Sequence, residues 1–369
     1  MNRLDRYLLT QLLGPFGFFA LALAGILWLA QVLPLIEIII DSGKTGLIFL
    51  EFSFLILPNV LVIVLPIAAF IATIYSINRM FSETELVVVM SAGLSPLRIA
   101  KATMIFGLGV MAAMFVLILL LQPAATTRLG ERTDALRRDA AAALLKEKQF
   151  IHPSEGLTVY IQKSSNAGEV LGLFLNDQRD PDAPITYAAD EALLLQDGEE
   201  LRFVMSSGTM QQFDANAQTL NIIEFDQFVL DLSDLINVRS GRNRLPIEYS
   251  ISELLNPQTI IDQGGVRGYN TYFAEAHNKL ALPPLGFALP LIAAALLLTA
   301  KYRRSGFGMR ITAISVIGML TLTFTLLSKT SVIATPSLYP VSYAPELIVI
   351  IIGFIILAYA SNPRKGSAK

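Results

Sequence analysis

Residues 116–139 read VLILLLQPAATTRLGERTDALRRD. Upstream of Arg128 no charge occurs until Lys101, so Ala102–Thr127 is a charge-free run of 26 residues. About 20 apolar residues in a helix cross a hydrocarbon core of about 30 Å. Downstream of Thr127 the charges arrive in quick succession while the composition stays helical, up to Lys148. This stretch is therefore where a membrane helix leaves the bilayer and continues into water as a polar stalk. It sets the architecture: apolar spans on either side of a water-exposed insert.

Five further charge-free runs have the length of a span or nearly so: Gly14–Ile36, Phe52–Ile77, Leu280–Ala300, Ile311–Ser328 and Leu347–Pro363. The first is 23 residues long, longer than the apolar region of a signal peptide. It is read as a retained first helix. The chain is 53% hydrophobic and 16% charged, against about 25% charged in an ordinary soluble domain. Its net charge of -2 offers no basic field for nucleic acid. There is no cysteine, and His152 and His277 lie far apart, so neither a disulfide nor a histidine-built metal centre is expected.

Beyond the stalk the hydrophobic period falls to two. Leu157–Gln162, Val170–Asn176, Ala189–Leu195, Leu201–Met205, Thr209–Phe213 and Thr219–Phe228 read as short strands. They are separated by turn signals at Asp180-Pro181-Asp182, Asp197-Gly198, Ser206-Ser207-Gly208 and Asp214-Ala215-Asn216. Short strands with frequent turns predict a β-sandwich or jelly roll. A polar stretch, Ser240–Asn270, leads back to the fourth span. The expected fold is an α-helical transmembrane bundle of six helices with an inserted all-β, jelly-roll-like domain. The expected divisions are 1–125 (helices one to three, with a short helix over 82–93), 126–270 (stalk and β domain) and 271–369 (helices four to six and a tail).

Orientation follows from Lys and Arg in the short loops. Arg3, Arg6, Arg79, Arg98, Lys101, Lys301, Arg303, Arg304, Arg310, Arg364, Lys365 and Lys369 fall on one side, and only Lys44 and Lys329 on the other, twelve against two. Both termini are expected in the cytoplasm and the insert on the far face.

Between the second and third spans, Ser82-Glu83-Thr84-Glu85 has the spacing of a capping box, with Ser82 and Glu85 exchanging side-chain and amide bonds. Leu86 to Met90 is apolar, Gly93 is placed to end the helix in a left-handed conformation, and Ser95-Pro96 starts the next one. A helix this short cannot span. Either it packs on its own bundle at the interface, or it is a peg that seats on a cytoplasmic ATPase and transmits its motion.

The segments Arg3-Leu4-Asp5-Arg6-Tyr7-Leu8, Leu65-Pro66, Ser82 to Leu94 and Glu275-Ala276-His277-Asn278-Lys279-Leu280-Ala281-Leu282-Pro283 resemble the LptF/LptG permease family. The short N-terminus and the Glu85–Gly93 match are nearer to the LptF branch. That family is the membrane part of the lipopolysaccharide exporter of Gram-negative bacteria. The resemblance implies an inner-membrane, multi-pass permease with a periplasmic β-jelly roll. It implies an LptB-like ATPase dimer, a LptG-like second permease and an LptC-like periplasmic jelly-roll protein as partners, with lipopolysaccharide as cargo. ATP and Mg would be used by the ATPase, and this chain would bind no cofactor. The ATPase-docking role carries over to Phe81, Glu83, Glu85, Leu86, Met90 and Gly93.

The sequence departs from the family at the outer end of the first helix, where Gln31 to Glu37 contains no Lys or Arg. The lipid rim is accordingly assigned to Gln31, Glu37, Lys44, His277 and Lys279. Lys279, at a helix start, is the expected partner of a lipid phosphate.

Enzymatic motifs are lacking. Gly43-Lys44-Thr45 ends like a P-loop, but position 38 is Ile where the loop needs Gly. No G-x-S-x-G or H-E-x-x-H occurs, and His152-Pro153-Ser154-Glu155 reads as a surface loop. Two rival functions remain: a mechanotransmitting permease that drives a periplasmic partner without moving lipid, and a membrane lipid-modifying enzyme.

Overall fold

The computed structural model describes residues 3–41, 46–143, 148–154, 156–164, 169–178, 184–197, 200–214, 219–231, 243–299 and 308–361. The chain forms two compact units. Met1–Leu129 with Arg244–Lys369 is helical, and Gly130–Asn243 is built on a β-sheet.

In the helical unit, α1 is Arg3–Asp41, α2 Gly46–Ser82, α3 Glu85–Ser91 and α4 Pro96–Val116. After a π-helical turn at Leu117–Leu121, α5 continues over Gln122–Ala143. Two short helices, α6 (Ile251–Leu254) and α7 (Pro257–Asp262), precede α8 (Tyr269–Ala281) and α9 (Leu285–Leu298). α10 is Gly308–Ala334, a 3₁₀ stretch covers Pro336–Tyr343, and α11 is Ala344–Ala360.

Five stretches are long and apolar enough to cross a bilayer: Arg3–Leu33, Ile48–Ser82, Pro96–Ala135, Gly308–Ala334 and Pro336–Ala360. α8 and α9 pass the same test together across a 44° bend, which brings the described residues to five or six spans. The bend has a local cause. Pro283 and Pro284 lack amide hydrogens, and a residue before proline avoids the helical region, so the ladder breaks at Leu282–Pro284. α9 is the hub of the bundle. Nearly every residue from Leu285 to Leu298 is buried, so the helix is apolar all round. It crosses α4 where small residues let the backbones meet: a Cβ on Gly107 would lie 3.2 Å from the Phe287 Cα, and one on Gly286 3.1 Å from the Met111 amide nitrogen. α1 differs in leaving most of its apolar surface uncovered, including Phe18, Leu21, Ile26 and Leu29.

The composition of Ser240–Asn270 places these residues with the insert. From Arg244 onward they instead pack on the helical unit, because Tyr249, Leu254 and Ile260 bury against Tyr272 and Ala276 of α8.

The second unit holds β1 Phe150–Ser154, β2 Leu157–Ser164, β3 Glu169–Asp177, β4 Ile185–Asp197, β5 Glu200–Asp214 and β6 Thr219–Asp231. They form one antiparallel sheet in sequential order, an up-and-down meander among the described residues. A jelly roll proper is two Greek keys, and the sequential order contains no such crossing. β1 was not foreseen, and the two short strands expected at 201–205 and 209–213 are one strand, β5. The Ser206-Ser207-Gly208 signal is not a turn but a kink with Ser207 at φ 52°.

The kink belongs to a crease that crosses the sheet. The paired rows skip from Ile161↔Leu173 to Lys163↔Leu171, from Leu173↔Ala189 to Leu171↔Glu191, from Ala189↔Gly208 to Glu191↔Ser206, and from Gly208↔Phe225 to Ser206↔Gln227. Core-facing residues are spaced by two elsewhere but by three across this line: Val170 and Leu173, Ala189 and Ala192, Phe225 and Phe228. One crease therefore keeps the same face apolar on both of its sides. Gly172 takes φ 63° there, and a Cβ would lie 2.6 Å from Gln162 Oε1.

Candidate functional site

α3 lies between two left-handed residues, Thr84 (φ 63°) and Gly93 (φ 88°). Gly93 ends the helix as the sequence predicts, its amide donating to the Met90 carbonyl (3.0 Å). Ser95 caps α4 by accepting from the Arg98 amide (3.3 Å), with Pro96 at the first position. The capping box expected at Ser82 does not form. α2 runs through to Ser82, whose hydroxyl donates to the Asn78 carbonyl (3.0 Å). Thr84 takes the cap position with no side-chain bond to the helix. The Glu85 carboxylate is turned to α1, where the Tyr7 hydroxyl lies 3.1 and 2.9 Å from its two oxygens.

The expected docking residues therefore divide into two kinds. Phe81, at the end of α2, and Leu86 of α3 are buried and join Leu8, Met80 and Ile99 in the bundle core, so Leu86 fixes α3 to the unit. Met90 is partly buried against the same core. Glu83 is exposed and pairs with Arg79 one turn earlier (2.8 Å). Val88 is exposed. Beside α3 lies a depression of about 410 Å³ lined by Leu4, Tyr7, Glu83, Glu85, Val88 and Val89. It is apolar with a carboxylate edge, and its shape and chemistry suit an inserted side chain.

A second polar cluster sits where α8, α10 and the 3₁₀ stretch before α11 meet. Lys279 does not face outward. It is 1% exposed, and its ammonium donates to the Ile247 (2.9 Å) and Tyr249 (2.6 Å) carbonyls. The expectation that Lys279 reaches outward to a lipid phosphate is set against this geometry: two backbone acceptors of the return segment hold its ammonium inside the unit. Glu275, on the same helix, pairs with Lys329 of α10. His277 bonds the Tyr343 hydroxyl (2.9 Å) and stacks on Tyr339, with ring centroids 4.7 Å apart. It packs α8 on the 3₁₀ stretch and is half-buried. Glu346, 1% exposed, accepts from the Thr325 hydroxyl (2.6 Å). Of the other rim residues, Gln31 is exposed on α1, Glu37 lies within α1 with its side chain outside the described residues, and Lys44 lies outside them altogether.

Outside the spans, the return segment carries a capping box that sequence reading passed over. The Ser250 amide donates to Glu253 Oε2 (2.7 Å), and the Glu253 amide to the Ser250 hydroxyl (3.4 Å). Burial pushes the Glu253 carboxyl up, but the Ser250 bonds and the Arg244 charge outweigh it and hold it below its ordinary range. Tyr7, Glu275, Thr325, Lys329 and Glu346 were also not singled out. Glu346 had a signal, since it is an ionisable residue in an otherwise apolar span. Tyr7 had none beyond its place in the N-terminal motif.

Among the described residues no group of three or more His, Asp or Glu is arranged to hold a metal. Five apolar helices and the bent pair α8–α9, interrupted by a β unit, mark a multi-pass membrane protein. The family model for the lipopolysaccharide export system permease LptF/LptG matches residues 6–359, nearly the whole chain, and the chain belongs to that family. It is also 26% identical over 303 residues to an uncharacterized protein of Rickettsia prowazekii (strain Madrid E), covering 81% of this chain and 82% of the relative. LptF/LptG members are permease components of lipopolysaccharide export.

Proposed function

We propose that this chain is the LptF-like half of an ABC-type exporter that extracts lipopolysaccharide from the bacterial inner membrane. A cytoplasmic LptB-like ATPase dimer uses ATP and Mg, and this chain catalyses nothing. A LptG-like permease covers the open face of α1 and completes a cavity for the acyl chains. Both termini are cytoplasmic, as the loop charges favour, and the β unit is periplasmic. The bent meander serves as the family's jelly-roll-like slide. Its β6 edge, with Leu220, Ile222, Ile223 and Val229 exposed, offers strand addition to an LptC-like protein.

The observation that carries this reading is α3, a helix too short to span. It is backed by the core through Phe81 and Leu86, and it presents Val88 and an apolar depression outward. The test is a photocrosslinking residue at Val88 in the co-expressed complex. Crosslinks to the ATPase are expected, and a control at Gln227 of the β unit should give none. Crosslinks to the ATPase from 227 and none from 88 would reverse the orientation and end the proposal.

A further inference from the structure

Glu85 stands where a docking charge is expected, yet its carboxylate is already engaged. Tyr7 reaches both oxygens, and the Gln11 side-chain amide donates to the Tyr7 oxygen (3.0 Å). With that lone pair occupied, the hydroxyl proton of Tyr7 is left for Glu85. The α1 backbone at Gln11 is in turn tied to α2, since its main-chain carbonyl accepts from the Ser76 hydroxyl (2.8 Å).

We infer that Tyr7, Gln11 and Glu85 form a clasp that ties α3 to α1, and that Glu85 serves transport by holding this clasp, as a positioning residue, rather than by offering charge to the ATPase. The inference rests on the reading of α3 as the driven element.

Three observations support it. Both ends of α3 are turns at left-handed residues, Thr84 and Gly93, so the helix is not continuous with α2 or α4, and Thr84 adds no side-chain cap. Side chains therefore decide how α3 sits on the bundle. Leu86 is buried in the core cluster that includes Leu8, with Val87, Val89 and Met90 partly buried on it, and Glu85 bonds Tyr7 as the polar contact to α1. The polar contact beside the buried one resists rotation as well as separation. Finally, α1 is the span with the least of its apolar window buried within the chain, 6%. A displacement passed to α1 is therefore delivered to whatever covers that face, lipid or a second permease. The buried Asp5, 3.7 Å from Arg98 at the start of α4, keeps the end of α1 near the same place.

The test uses the full chain with its co-expressed partners in lipid nanodiscs and reads two quantities. The first is hydrogen exchange of the α3 amides, which needs no transport. The second is lipid released per ATP hydrolysed. A hydrogen bond from a hydroxyl to a carboxylate at a half-exposed site sets the scale, about fivefold in a local opening equilibrium. Tyr7→Phe, which keeps the ring in place, should speed α3 exchange by about that factor. It should also lower lipid per ATP while ATPase association stays at the wild-type level.

Gln11→Leu should act in the same direction. Glu85→Ala should match Tyr7→Phe, and the double variant should be no worse than either single one. Glu85→Gln keeps an acceptor for Tyr7 and should stay near wild type. If Tyr7→Phe changes neither exchange nor lipid per ATP, the clasp is overturned. Loss of ATPase binding in Glu85→Gln would instead make the charge the operative feature. A wild-type complex that hydrolyses ATP and moves no lipid would remove the coupling role and the parent reading together. The exchange arm tells that failure from a failure of the clasp.

Discussion

Lys279 illustrates how a single residue's role depends on its neighbours' unmet needs. The segment after Arg244 re-enters the helical unit through Leu245, Pro246 and Tyr249, and the turns there leave carbonyls without partners of their own. Lys279 supplies the donors, at 2.9 Å to Ile247 and 2.6 Å to Tyr249. A buried carbonyl left without a donor costs about 1–3 kcal/mol. Lys279→Met should therefore lower the thermal stability of the purified chain by about 2–4 kcal/mol, with two carbonyls orphaned. Lys279→Arg should not rescue it, because a larger fork does not fit a site that is 1% exposed. Unfolding in detergent, with limited proteolysis around 245–249, reads both effects. A wild-type melting curve for Lys279→Met would return the residue to the lipid rim. The same cluster places a carboxylate, Glu346, against Thr325 inside an apolar span. Such residues persist in spans where partners satisfy them.

At the scale of elements, two Ser-x-x-Glu patterns had opposite fates. Ser250 follows an extended residue, so its amide and hydroxyl are free to trade bonds with Glu253. Ser82 is the last residue of a 37-residue helix, its hydroxyl is already bonded, and Glu85 is drawn to Tyr7. The pattern is legible in sequence, but the state of the preceding backbone is not. The β5 kink teaches the same lesson. Ser-Ser-Gly is good turn chemistry, yet tertiary pairing with β4 and β6 kept the strand continuous and used those residues for a crease. The apolar spans, the glycine stop and the serine-proline start are readable because each rests on local physics: run length, φ at one residue, one cap. The crease is not, since it needs five strands to bend in register. Gly172→Ala should destabilise the β unit within the full chain, its new Cβ meeting Gln162 at 2.6–2.8 Å. Gly172→Ala with Gln162→Ala should recover the steric part and leave the φ penalty, about 1–2 kcal/mol. Equal losses in the single and double variants, read by thermal unfolding, would mean that Gln162 simply swings away.

For the whole molecule, composition indicates the bundle-plus-insert plan, and loop charge favours cytoplasmic termini. Individual side-chain partners do not follow from the pattern alone. Lys279, read from the sequence as a helix start, lies in the last turn of α8, and only the fold decides whether such a lysine meets a lipid or a carbonyl 30 residues away. The proposed function requires that this chain move lipid when a partner ATPase drives α3. The direct measurement is reconstitution of the chain with its co-expressed partners in liposomes that contain lipopolysaccharide, with a soluble periplasmic acceptor outside. ATP should cause lipopolysaccharide to appear on the acceptor, and omission of ATP should abolish the transfer. ATP hydrolysis at full rate with no lipid reaching the acceptor would contradict the claim and leave a mechanotransmitting permease in its place.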